Sequence, residues 1–194
     1  MAQKRLQKRR SAKTKVQPAR RAAQSRQKDA IALLKADHRQ VEGWFSQFEK
    51  TGSDTRKQEL AGKICGALKV HTTIEEEIFY PAFLAATEDK DTHHEAEVEH
   101  NGAKKLIAEI EKSGPDDDYY DAKVKVLSEM IKHHVKEEEQ PGGMFAEARK
   151  SDMDLAELGR QLAARKRELM NGAPKAKGGE RPQRRGMLAK HLPA

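Results

Sequence analysis

Cysteine is nearly missing from this chain. The single Cys65 excludes an intramolecular disulfide and fits a reducing compartment. No apolar run is long enough to span a bilayer or to form the core of a secretory signal, so the expectation is a cytoplasmic protein with no membrane contact. Acidic residues are absent from the first 28 positions, which carry eleven Lys and Arg, while residues 171–194 carry six against Glu180 alone. Such a leader has the charge of an organellar transit peptide, but Leu6 and Val16 are almost its only large apolar residues, too few to build an apolar helix face. Hydrophobic residues are scarce at 36%, with charged residues also at 36%, which excludes a chain packed from end to end. Strand-like alternation does not occur.

What is present divides the chain in three. The net charge of +7, less that of both tails, leaves about −9 on residues 29–170. The body is therefore acidic, and the pI of 9.4 describes the tails. Residues 1–28 and 171–194 read as disordered basic tails, and 29–170 as a single folded domain. The tails have the charge for nonspecific nucleic-acid contact at phosphates, although no recognised reader motif accompanies them.

Within the body, apolar residues recur at helical spacing. A first helix over about 29–50 carries Ile31, Leu34, His38, Val41, Phe45 and Phe48 in one stripe; Thr51-Gly52-Ser53 ends it, and Ser53 or Asp54 caps the next. The second, over about 54–86, aligns Leu60, Ile64, Ala67, His71, Glu75, Ile78 and Ala82, with Pro81 expected to kink its end. The third, about 91–113, aligns Ala96, His100, Ala103, Ile107 and Ile110. A fourth, about 117–139, aligns Tyr120, Val124, Leu127, Ile131, His134 and Glu138 before Gln140-Pro141-Gly142-Gly143 breaks it. Shorter helical segments follow over 144–170. Short connections between the long helices predict an all-α, up-down-up-down four-helix bundle with additional short C-terminal helices.

A repeat organises the chemistry. In His71-Thr72-Thr73-Ile74-Glu75 and again in His134-Val135-Lys136-Glu137-Glu138, a histidine stands four residues before a glutamate, so both project from one helix face. An isolated histidine, His38 or His100, precedes each copy by nearly the same interval. Antiparallel packing then brings all four histidines to within one or two helical turns of a common level. The neighbouring pair His133 and Glu137 has the same spacing, but Lys123 interrupts its stripe, so His134 and Glu138 are the inward pair. Four imidazoles and two carboxylates left alone in an apolar core would cost several kcal/mol, which a bound cation removes. Mixed imidazole and carboxylate donors suit iron, manganese or zinc, and two carboxylates among six donors suit bridging between two ions.

These residues, together with Ala36-Asp37-His38-Arg39, Ile78-Phe79-Tyr80-Pro81 and Glu97-Val98-Glu99-His100, resemble the hemerythrin-like, or HHE cation-binding, family over residues 29–150. The resemblance implies a non-haem di-iron centre with His38, His71, His100 and His134 as terminal ligands and Glu75 and Glu138 as bridges. The oxygen-carrying members have a fifth histidine and a final aspartate ligand, for which this chain offers no obvious histidine and Glu138. It is therefore similar to bacterial members that bind, sense or reduce O2, nitric oxide or peroxide. Two further functions stand beside this one: a regulator whose metal status controls what the tails bind, and a structural or storage metal protein. Glu42 is a candidate additional ligand. His93 reads as exposed, Glu76, Glu77, Glu137 and Glu139 as solvent-facing acids, Met130, Met144 and Met153 as core fillers, and Cys65 as a small buried residue. Because the second copy lacks the Phe-Tyr-Pro ending of the first, its side of the centre is expected to be the more open.

Overall fold

The computed structural model describes residues 28–172. The expectations for residues 1–27 and 173–194 lie outside the described residues. Four long helices make the bundle: α1 (Ala30–Lys50), α2 (Asp54–Ile74), α4 (Lys90–Lys112) and α5 (Tyr120–Glu139). A π-helical segment, Glu75–Phe79, and α3 (Tyr80–Thr87) continue α2. Two C-terminal helices follow, α6 (Met144–Lys150) and α7 (Leu155–Gly172). Among the described residues there is no strand, and no helix is long and apolar enough to cross a membrane.

Local chemistry sets the ends of these elements. The Asp29 carboxylate accepts from the Ala32 N–H at 2.7 Å to open α1, Ser53 opens α2, and Asp89 opens α4. The long helices form a ring in which α1 packs on α2 and α5, and α4 packs on the same two. Apolar side chains fill the bundle in two clusters. One, around Phe45, Leu60, Ile64, Ile107 and Leu127, occupies the end near the α1–α2 turn. The other, around Ile31, Leu34, Phe79, Phe83 and Phe145, occupies the opposite end.

Two departures from the periodic reading matter for function. Pro81 bends no continuous helix; instead the α-helical register breaks six residues earlier, and the Tyr80 N–H reaches the Glu75 carbonyl across five residues. Proline lacks an N–H and its ring crowds the carbonyl four residues back, so one wider turn ahead of it relieves the conflict. The face rotates as a result. Phe79, Tyr80 and Phe83 are buried, whereas Ile78 and Ala82, expected inward, are only half-buried.

The second departure is the reversal after α5. Gly142 has φ +84°, and a Cβ on Gly143 would lie 2.1 Å from the Glu137 carbonyl oxygen, so two glycines allow the chain to turn hard against the helix end. Met144 and Phe145 are thereby folded inward and buried. The expected opening on this side is closed. Helix α7, longer than the short segments expected, runs along α1 and α2, where Gly159 sits against the Lys28 carbonyl and the start of α1.

Candidate metal centre

Between the two apolar clusters lies one polar layer. His38 from α1, His71 from α2, His100 from α4 and His134 from α5 meet there, with Glu75 from the π segment and Glu138 from α5; none is more than 5% exposed. The structure brings all six sequence-identified residues together. Their Nε2 atoms pair across the bundle, His38 with His71 at 3.0 Å and His100 with His134 at 3.2 Å. Each carboxylate spans both pairs. Glu75 Oε2 lies 3.2 Å from His71 and 3.5 Å from His100, while Glu138 lies 3.4 Å from His38 and 3.6 Å from His134.

The outer nitrogens explain why the rings point this way. His38 Nδ1 donates to Glu139 at 2.8 Å, His100 Nδ1 to Glu76 at 3.0 Å and His134 Nδ1 to Glu99 at 2.7 Å; His71 Nδ1 faces Asp37 at 3.7 Å. Each of these acids is the immediate chain neighbour of an inward residue, yet serves a histidine on the next helix of the ring. A carboxylate only accepts, so in His38, His100 and His134 a proton sits on Nδ1 and Nε2 faces inward, while His71 Nδ1 is buried without a hydrogen-bond partner. The reading of Glu76 and Glu139 as solvent-facing acids is corrected: about 100° of helical rotation from a buried neighbour aims them along the helix–helix seam.

Three of the four outer acids carry a strong base of their own. Glu139 pairs with Arg39 at 2.6 Å and Lys35 at 3.3 Å, Glu76 with Lys104 at 2.6 Å, and Asp37 with Lys166 of α7. Glu99 has His133 at 3.4 Å instead.

Burial governs protonation. It holds His38 and His100 down to about 2, helped by the neighbouring imidazoles, so both are neutral at pH 7. Burial also pushes Glu75 well above the carboxylate range, with the charge of Glu138 adding to it, and raises Glu138 against the pull of His134 and His71. At His134 burial pulls downward, but the carboxylates of Glu138 and Glu99 outweigh it and raise the value.

Sequence reading missed Tyr80. Its hydroxyl sits 3.2 Å from His100 Nε2 and 3.4 Å from Glu138 Oε1, and burial followed by the Glu75 and Glu138 charges holds its proton on. Only the π segment brings it to this face. His93, expected exposed, is half-buried with its ring 5.9 Å from Tyr80. Glu42 stays outside the layer and pairs with Arg39 at 3.1 Å. Met144 is buried, Met130 and Met153 are half-buried, and burial raises Cys65 to about 12, which makes it an inert filler at neutral pH.

A cation fits this layer. Both Glu75 oxygens, Glu138 Oε2 and His71 Nδ1 are buried without a hydrogen-bond partner. The donor sets His38–His71–Glu75 and Glu75–His100–His134 each hold their atoms within 4.8 Å of one another. The comparisons with known proteins agree. Residues 29–141 match the hemerythrin HHE cation binding domain. The crystal structure of a hemerythrin HHE cation binding domain-containing protein from Mycobacterium kansasii shares the fold, with a TM-score of 0.61 and 24% identity over 74% of this chain and 88% of that one. A DNA nickase from Nostoc sp. is 27% identical over 107 residues, or 55% of this chain and 30% of that protein, so the chain spans less than a third of that curated relative. A four-helix bundle with inward imidazoles and shared carboxylates, matched over residues 29–141, makes this chain a member of the hemerythrin HHE cation-binding family.

Proposed function

We propose that the six inward side chains hold two non-haem iron ions, at which the protein binds, senses or reduces O2, nitric oxide or peroxide. The observation that carries this reading is the pairing of Nε2 atoms at 3.0 and 3.2 Å with Nδ1 turned outward on carboxylates. Each pair offers two lone pairs to one ion, and Glu75 and Glu138, each reaching one histidine of either pair, suit bridging positions. Manganese and zinc also accept such donors; iron and manganese can exchange electrons with a small oxidant, which zinc cannot. A reduced iron pair supplies electrons to a small oxidant or gas. The protein's part is to keep His38 and His100 neutral and all four imidazoles oriented, to exclude bulk water with the two apolar clusters, and to present the protonated Tyr80 hydroxyl beside His100 and Glu138 as a hydrogen-bond donor.

The test is elemental analysis of protein purified without added metal, with an optical spectrum before and after reduction and re-exposure to air. Close to two irons per chain, with an absorption band that disappears on reduction, is the expected result. Zinc alone, or no metal after anaerobic iron loading, overturns the reading and leaves a structural or storage site.

A second reading draws on the tails and on the Nostoc relative's name. Eleven basic residues within the first 28 have the charge to bind a phosphate backbone, and metal status could set what they engage. Here the test is retention of supercoiled plasmid, and its conversion to a relaxed form, by metal-loaded and metal-free protein. Binding or nicking that changes with metal and is lost on deleting residues 1–28 supports the regulatory role; indifference to metal removes it.

A further inference from the structure

The pair His133 and Glu137, set aside because its stripe faces outward, has a structural setting of its own. His133 Nε2 lies 3.0 Å from Glu137 and 3.4 Å from Glu99, and the three residues converge on one point between α4 and α5. The imidazole is 63% exposed while Glu137 and Glu99 are 31% and 20% exposed, so the point is reached by solvent. Two of the three, Glu99 and Glu137, also line a void of about 30 Å³, the room of a single water or ion, together with Glu95, His134 and Glu138. Glu138 is 2% exposed; its Oε1 lies 3.6 Å from His134, and its partnerless Oε2 is on the His38 side.

Comparison among the four outer acids identifies what this corner needs. Asp37, Glu76 and Glu139 each have a lysine or arginine, whereas the only bases paired with Glu99 among the described residues are histidines. Glu95, Glu99 and Glu137 thus gather three carboxylates with no lysine or arginine paired to Glu99, where each of the other outer acids has a fixed positive charge.

We propose that Glu99, His133 and Glu137 form an outer divalent-cation site, distinct from the inner layer, that receives ions on their way to it. One imidazole and two carboxylates select ions of the iron, manganese, cobalt or zinc type over magnesium or calcium, and leave positions for water through which the ion exchanges. The site meets the inner layer at two points. Glu99 holds His134 Nδ1 with its other oxygen at 2.7 Å, and the void leads to Glu138. A cation held here occupies the corner left without a fixed positive charge and stands one carboxylate away from the inner donors. The delivery role rests on the reading of the inner layer as a metal centre; the outer site does not.

The experiment is an equilibrium titration of the full-length protein with cobalt(II), anaerobic and followed by visible absorption, on wild type, His133→Ala and Glu137→Gln. All three share a fold in which position 133 is exposed, and circular dichroism checks that helicity is unchanged. Wild type is expected to take up two tight equivalents and a weaker third, and both variants to lose the third by on the order of tenfold or more in affinity while keeping the first two. Two tight equivalents in wild type with no third, or a third that is unchanged in His133→Ala, overturns the outer site. If wild type binds one ion and His133→Ala none, the outer site stands and the inner reading falls. Stopped-flow mixing with cobalt(II) then addresses delivery: slower filling of the two tight positions in His133→Ala is expected, and an unchanged rate refutes the delivery role.

Discussion

The inner layer has two halves built to one plan and finished differently. His38 with His71, and His100 with His134, present the same paired Nε2 atoms and the same pair of shared carboxylates, and every Nδ1 except that of His71 is hydrogen-bonded outward to an acid. Above the first half the Phe145 ring lies parallel to His38 at 5.9 Å, an apolar cap from α6. Above the second is Tyr80, a hydroxyl 3.2 Å from His100. The internal repeat thus supplies donors, and the segments that fail to repeat supply the surroundings. Phe-Tyr-Pro follows one glutamate and Pro-Gly-Gly-Met-Phe the other, so a hydrogen-bonding side and a dry side are written into the chain directly after its two matching motifs.

The largest expected effect comes from erasing what the halves share. Glu138→Ala should abolish two-metal binding, whereas His71→Ala should leave at most one ion, held by His100 and His134; helicity by circular dichroism should persist in both. Retention of two ions by Glu138→Ala, measured by elemental analysis, would show that the halves do not share this carboxylate. Next is Phe145→Ala, which removes the dry cap. Deleting a buried phenyl ring should cost about 3–5 kcal/mol in urea denaturation, and the metal should be stripped faster by a chelator. Equal chelator rates in variant and wild type would mean that access is from the other half.

Tyr80→Phe should leave metal content unchanged and alter the rate of reaction with peroxide, or the dissociation of nitric oxide, by about tenfold, the weight of one hydrogen bond. An unchanged rate would make the hydroxyl a packing group and the halves functionally alike. The smallest effects belong to the outer bases. Lys104→Met and Lys166→Met each free one carboxylate that faces a histidine, so each should weaken one ion by about tenfold and spare the other. Competition titration would detect a variant that weakens both.

Much of this was legible in the sequence because the spacing of buried residues on straight helices is fixed. The stripes through His38, His100 and His134 predict their burial, and the choice of His134 over His133 follows from a single interrupting lysine. What periodicity could not supply lies where the helix departs from 3.6 residues per turn, or where a contact crosses between helices. Tyr80 stays hidden for the first reason. Asp37, Glu76, Glu99 and Glu139 stay hidden for the second, since a one-dimensional stripe assigns an acid beside a ligand to solvent. The signal was nonetheless present: each of the four directly adjoins an inward residue in the chain. The open side expected at Gly142-Gly143 failed for a related reason, because a helix breaker marks where a helix stops and is silent about where the chain goes next.

The π segment has a consequence for how such a centre can change. One residue fewer between Glu75 and Tyr80 would restore the regular α-helical turn and swing everything beyond it by about 100°, carrying the Tyr80 hydroxyl off the layer while leaving His71 and Glu75 where they are. Gaining or losing a single codon is therefore enough to switch an aromatic hydroxyl into or out of this centre, and relatives that differ by one residue here would share their ligands yet differ in reactivity.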